Sequence, residues 1–163
     1  MNKLKSIVRD NILQLSPYSS AREEYYSSKE ILLDANENPY GLLNRYPDPF
    51  QNKLRVSLSK MKKISKASIF IGNGSDQIID LAFRVFCNPG IDKALTFIPT
   101  YGMYQVSADI NNVELIKLAL NEDFQIKKQG LKALLKNPSI KLLFLCSPNN
   151  PTGNCINIEA VSY

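Results

Sequence analysis

The sequence contains no histidine and only three cysteines in 163 residues. Cys87, Cys146 and Cys155 are far apart, odd in number and form no CxxC pair, so no structural zinc site or other metal centre is expected. Cys146 lies in an apolar run and reads as a reduced core residue. No apolar run approaches the ~20 residues that cross a bilayer, so no membrane partner is expected. A secretory signal needs an unbroken apolar stretch after its basic start. Here Arg9, Asp10, Asn11 and Gln14 interrupt that stretch, and a cytoplasmic protein is expected. Charge of one sign is not concentrated either. The net charge of +5 comes from scattered lysines. The densest group, Lys60, Lys62, Lys63 and Lys66, falls at the end of an expected helix, where cations suit the dipole. A nucleic-acid partner would call for a basic stripe with interleaved aromatics, and none is present. What remains is an ordinary globular composition, 44% apolar, in a chain long enough for one core.

Apolar periodicity organises the chain. Lys3 to Leu15 has near-helical spacing and is stopped by Ser16-Pro17, Ile31 to Leu33 reads as a short strand, and residues 34–50 form a long loop. Thereafter helices are expected at 50–63, 76–86, 101–110 and 127–136, and strands at 68–71, 93–98, 113–120 and 141–146. The buried side of the second of these helices reads as Ile78, Ile79, Ala82, Val85 and Phe86. Alternating strands and helices predict an α/β fold with a mostly parallel sheet. A helix start is expected at Asn157 to Tyr163.

Three loops at strand ends are rich in special residues, and ligands of open α/β sheets bind at the carboxyl ends of strands. Gly72-Asn73-Gly74-Ser75-Asp76-Gln77 opens a helix, where free N–H groups favour an anion such as phosphate; it is neither a GxGxxG nor a Walker loop, and the alternative is a plain β-to-α turn with Ser75 or Asp76 as N-cap. An aspartate is an odd phosphate neighbour, so the Asp76 carboxylate should point elsewhere. Pro99-Thr100-Tyr101-Gly102-Met103-Tyr104 offers a flat Tyr101 ring, either for stacking on a planar ligand or for packing on its own scaffold. Ser147-Pro148-Asn149-Asn150-Pro151-Thr152-Gly153 follows the most apolar strand; two prolines and a glycine can hold Asn150 as a fixed amide donor or simply make a rigid turn.

In this order, with Leu33-Asp34-Ala35-Asn36-Glu37-Asn38-Pro39-Tyr40-Gly41, Arg45-Tyr46-Pro47-Asp48-Pro49, and Ser16-Pro17-Tyr18 with Ala21-Arg22, the chain resembles the fold type I pyridoxal-phosphate aminotransferases, and among them the histidinol-phosphate aminotransferase family. The resemblance runs from about residue 13 to the end. It implies an incomplete, mostly parallel α/β sheet with flanking helices, the first half of the large domain. Residues 1–40 would be the N-terminal arm and the start of the small domain, and residues 41–163 the first part of the cofactor-binding domain. It further implies that the backbone of Ser75, Asp76 and Gln77 holds the phosphate of pyridoxal 5'-phosphate, with Gln77 standing where many relatives carry an acid. Tyr101 would stack on the pyridine ring, Asn150 would donate to its phenolate oxygen, and Tyr46 would reach the partner subunit of a homodimer. Tyr18 and the segment from Asn36 through Asn38 to Gly41 would line the pocket for an amino donor and a 2-oxo acid. In the family the aspartate facing the ring nitrogen, the Schiff-base lysine and the substrate arginines follow the last of these motifs. No catalytic residue is therefore expected within these residues, and an N-terminal fragment inactive by itself is expected. A threonine-phosphate decarboxylase-like enzyme and a non-catalytic fragment are the alternatives.

Overall fold

The computed structural model describes residues 3–19, 31, 33, 35–42 and 48–162. They form two compact units, Met1–Leu15 with Gly72–Tyr163, and Ser16–Ile71.

The larger unit begins with a 3-10 turn, Lys3–Ser6, and a single helical turn, α1 (Asp10–Leu13). The single helix expected over Lys3 to Leu15 is thus broken, and Arg9 breaks it with an extended backbone (φ −58°, ψ 140°). Arg9 instead binds the end of a later helix, α3 (Gly74–Phe86): its N–H donates to the Val85 carbonyl at 3.0 Å and its Nη1 to that of Arg84 at 2.7 Å. A guanidinium there satisfies carbonyls that the helix leaves open.

Three parallel strands follow, β1 (Lys93–Ile98), β2 (Glu114–Ala119) and β3 (Ile140–Phe144), in the order β2-β1-β3. Lys93 to Ile98 pair with Glu114 to Ala119 without a slip, whereas the β1–β3 register shifts between Lys93 and Ala94. As the central strand, β1 is buried from Ala94 to Phe97, which explains its continuous apolar run. Its alternation divides the core. Ala94 packs with Ile79, Phe83, Cys87, Tyr104, Ala108 and Val113, while Leu95 and Phe97 pack with Leu120, Ile126 and Leu131. The first cluster is covered by α3 and α4 (Met103–Ile110); the second includes α5 (Leu131–Leu135). The last turn, α6 (Ile158–Val161), starts where expected, with the Asn157 side chain accepting from the Glu159 N–H.

Three expectations need correction. Helix α3 turns Ile79 and Phe83 inward, one helical turn apart, and Phe83 is fully buried while Ile78 is 40% exposed. The helix expected from residue 127 begins only at Leu131, because Gly130 sits at φ 76° and interrupts the helical backbone. Residues 68–71 form no strand. A 3-10 turn, Lys66–Ser68, leads into an extended Ile69, but among the described residues no strand pairs with it, and a strand needs a ladder as well as a β-prone sequence. The strand expected at Ile31 to Leu33 lies partly outside the described residues.

In the smaller unit, α2 (Asn52–Lys62) is started by Asp48, whose carboxylate accepts from the N–H groups of Phe50 (2.9 Å) and Asn52 (2.8 Å). These bonds hold the Asp48 carboxyl below its ordinary value. Arg55 clamps the following turn through two bonds to the Lys66 carbonyl, at 3.2 and 2.7 Å.

Candidate functional site

In a parallel sheet all strand carboxyl ends lie at one edge. At this edge the loop after β1 meets the loop after β3 and the start of α3. Helix α3 is entered through Gly74 at φ 73°, a left-handed conformation that glycine adopts without strain. The Asn73 side chain makes no capping bond; instead the Asn73 N–H donates to Gln77 Oε1 at 2.6 Å. Gln77 thus makes the reciprocal bond of a capping box from one residue beyond the usual N3 position. The N–H groups of Ser75 and Asp76 lie in the open first turn and donate to no carbonyl that precedes the helix, and Ser75, Asp76 and Gln77 are exposed. Unpaired N–H groups at a helix start, next to a positive-φ glycine, form a seat for an anion.

The Asp76 carboxylate does point elsewhere: its Oδ1 accepts the Tyr101 hydroxyl at 2.9 Å. That bond raises the Tyr101 phenol above its ordinary value. The Tyr101 ring meets Tyr104 edge-on, with centroids 5.9 Å apart and an interplanar angle of 88°. Tyr104 stacks on Phe144 at 4.9 Å, and Phe144 lies 5.2 Å from Phe83 in the core. Burial, with the Cys146 thiol alongside, pushes the Tyr104 phenol up to about 12.

The third loop is organised by a residue that sequence reasoning passed over. Asn149 is buried, 5% exposed, whereas Asn150 beside it is exposed. Asn149 Nδ2 donates to the Pro99 carbonyl (3.0 Å) and to Thr152 Oγ1 (2.7 Å), and its Oδ1 accepts from Thr100 Oγ1 (3.2 Å). Its backbone carbonyl accepts from the Gly153 N–H at 2.7 Å, with Gly153 at φ 76°. Asn149 thus ties the loop carrying Asn150 to the loop carrying Tyr101. Thr152 in turn donates to Asn154 Oδ1, and Asn154 Nδ2 to the Phe124 carbonyl. Two adjacent asparagines are alike in sequence, so only burial separates the clip from its exposed neighbour.

The cavity under these loops, lined by Phe97, Thr100, Phe144 and Asn149 among others, holds only about 10 Å³, room for no more than a water. A groove of about 500 Å³ lined by Gly90, Asp92, Lys93, Asn112 and Glu114 opens at the opposite, amino end of β1 and β2. The structure thus joins Asp76 to Tyr101 and Thr100 to Asn149 at one sheet edge. Tyr18, Asn36, Asn38 and Gly41 belong to the smaller unit, where Tyr18 is 88% exposed, Asn38 Oδ1 accepts from the Tyr40 N–H and Gly41 has φ 101°. Tyr46 lies outside the described residues.

The parallel α/β unit thus carries an open helix start, the Tyr101 ring and the clipped asparagine loop together at its carboxyl edge. Residues 17–162 match the profile of aminotransferase class I and II, and the chain belongs to that family. It is 55% identical over 156 residues to a histidinol-phosphate aminotransferase of Bacteroides fragilis, covering 94% of this chain and 45% of that protein. It is 56% identical to the one from Bacteroides thetaiotaomicron over the same shares. Among solved structures, histidinol-phosphate aminotransferase from Clostridium acetobutylicum superposes with a TM-score of 0.63 at 27% identity, covering 74% of this chain and 34% of that one. The Sinorhizobium meliloti enzyme in complex with pyridoxal-5'-phosphate has a TM-score of 0.61 at 24% identity over 68% of this chain and 29% of its own, a likeness of fold. The chain spans about 45% of the length of the curated relatives it matches.

Proposed function

We propose that these residues are the N-terminal part of a histidinol-phosphate aminotransferase. Such an enzyme moves an amino group between L-histidinol phosphate and 2-oxoglutarate with pyridoxal 5'-phosphate, in histidine biosynthesis in the cytoplasm. The observation that carries the cofactor reading is the open helix start at Ser75 and Asp76, joined through Asp76 to Tyr101. That arrangement fits a phosphate linked to a flat ring. The identity to relatives named histidinol-phosphate aminotransferase supports the substrate.

In this reading the Ser75, Asp76 and Gln77 amides bind the phosphate, Tyr101 covers the ring, and Asn150, presented by the Asn149 clip, donates to the ring oxygen. Tyr18, Asn36, Asn38 and Gly41 contact the amino donor and the 2-oxo acid, and Tyr46 reaches across a homodimer. When bound, pyridoxal phosphate supplies an electron sink for charge developed on the substrate carbon. The loops that carry Ser75, Tyr101 and Asn150, residues 72–77, 98–102 and 145–157, contain no lysine, so they bind and orient but offer no amine to move the substrate proton. The 163 residues alone are therefore inactive.

The test is glutamate formation from histidinol phosphate and 2-oxoglutarate. The complete polypeptide is expected to turn over, and the 163-residue chain to stay at the background of free cofactor. Carbon dioxide release from threonine phosphate by the complete polypeptide, without transamination of histidinol phosphate, reassigns the substrate. Turnover by the 163 residues alone overturns the division of labour.

A further inference from the structure

We propose that the Asp76 carboxylate is a positioning residue that holds the Tyr101 ring in its stacking orientation and so joins the phosphate seat to the ring platform. This rests on the cofactor reading above. The direct observation is the 2.9 Å bond from the Tyr101 hydroxyl to Asp76 Oδ1, between residues 25 apart in sequence. At its other side Tyr101 leans edge-on against Tyr104, which continues through Phe144 to the fully buried Phe83. Ring contacts alone leave a tyrosine free to tilt; a hydrogen bond at the far tip removes that freedom. A phenol is protonated at neutral pH and so can donate, and the bond to Asp76 raises its value further.

The same bond accounts for a carboxylate beside an anion seat. An unengaged Asp76 would repel a phosphate on its own amide. Engaged by the neutral Tyr101 hydroxyl it keeps its charge, so the repulsion stands and the gain is the fixed ring. An asparagine would accept the same bond through its amide oxygen without the charge, and that separates the two roles.

The experiment uses the full 163-residue chain with two probes, pyridoxal 5'-phosphate and inorganic phosphate, in equilibrium dialysis. Asp76→Ala and Tyr101→Phe are each expected to weaken pyridoxal phosphate binding about three- to tenfold, the worth of one hydrogen bond. The double variant is expected to lose no more than either single one, and Asp76→Asn to bind like the wild type or better. Inorganic phosphate has no ring, so no variant weakens it. A difference titration against Tyr101→Phe should show Tyr101 ionising at lower pH in Asp76→Ala. Additive losses, an equal loss for inorganic phosphate, or failure of Asp76→Asn to restore binding each overturn the proposal. If the wild type binds neither probe, the cofactor reading fails. The titration then decides the tether by itself, and an unchanged Tyr101 midpoint overturns it.

Discussion

Replacing Asn149 by alanine removes three side-chain hydrogen bonds, to the Pro99 carbonyl, Thr152 Oγ1 and Thr100 Oγ1. At roughly 1 kcal/mol net for each, the loss is about 3 kcal/mol. Small domains have about 5–15 kcal/mol in all, so this one side chain carries a substantial share. Urea unfolding followed by circular dichroism reads it: with a slope near 2 kcal/mol/M, the midpoint falls by about 1.5 M. Asn150→Ala, at the exposed neighbour, is expected to stay within about 0.5 kcal/mol of the wild type. Asn149→Asp adds a chemical check. It turns an oxygen toward the Pro99 carbonyl and buries a charge, so at neutral pH it is expected to be at least as destabilising as alanine. Burial raises the pKa of such a carboxyl, and the penalty should ease as falling pH protonates it. If Asn149→Ala costs less than about 0.5 kcal/mol, or no more than Asn150→Ala, the clip has been misread.

Phe83→Ala empties a fully buried site beneath Phe144 and is expected to cost about 3–5 kcal/mol by the same unfolding assay. Gly74→Ala forces a side chain into φ 73°, at about 1–2 kcal/mol, and should weaken inorganic phosphate binding in dialysis as the seat deforms. The hydrogen bonds from Arg84 and Asn111 lower the Asp80 carboxyl, so its stabilisation is present above about pH 4 and lost as pH falls through the folded value; acid titration of Asp80→Asn should lack that part of the slope. Burial pushes the Cys87 thiol up to about 11, so a maleimide at neutral pH should modify exposed Cys155 and spare Cys87 until the chain unfolds.

What the sequence makes legible follows from what kind of physics sets each feature. Strands β1, β2 and β3 and helices α2, α3 and α4 lie within about three residues of their expected positions, because the apolar runs and spacings that mark them, and the turn residues that bound them, are local in the sequence. Residues 68–71 have the composition of a strand, but pairing is decided by another segment, which periodicity cannot see. Gly130 and Arg9 interrupt helical patterns through single-residue backbone geometry, although the glycine could have warned of the first break. At the candidate site the loops and the free helix start can be read from glycines, prolines and their place after strands. The Asp76–Tyr101 bond and the Asn149 clip cannot, because each joins residues 25 to 50 positions apart whose partners no spacing rule names.

The Arg9 latch on α3 sets a waiting time during synthesis. Its bond to the Arg84 carbonyl spans 75 residues, so at ribosomal rates of about 5–20 residues per second the first segment emerges roughly 4–15 s before its seat exists. Through that interval Ile7, Leu13 and Leu15, which stay largely exposed even after docking, travel with a nascent chain that has nothing to hold them. A chaperone that samples emerging chains would meet Ile7, Leu13 and Leu15 before the end of α3 exists to hold Arg9.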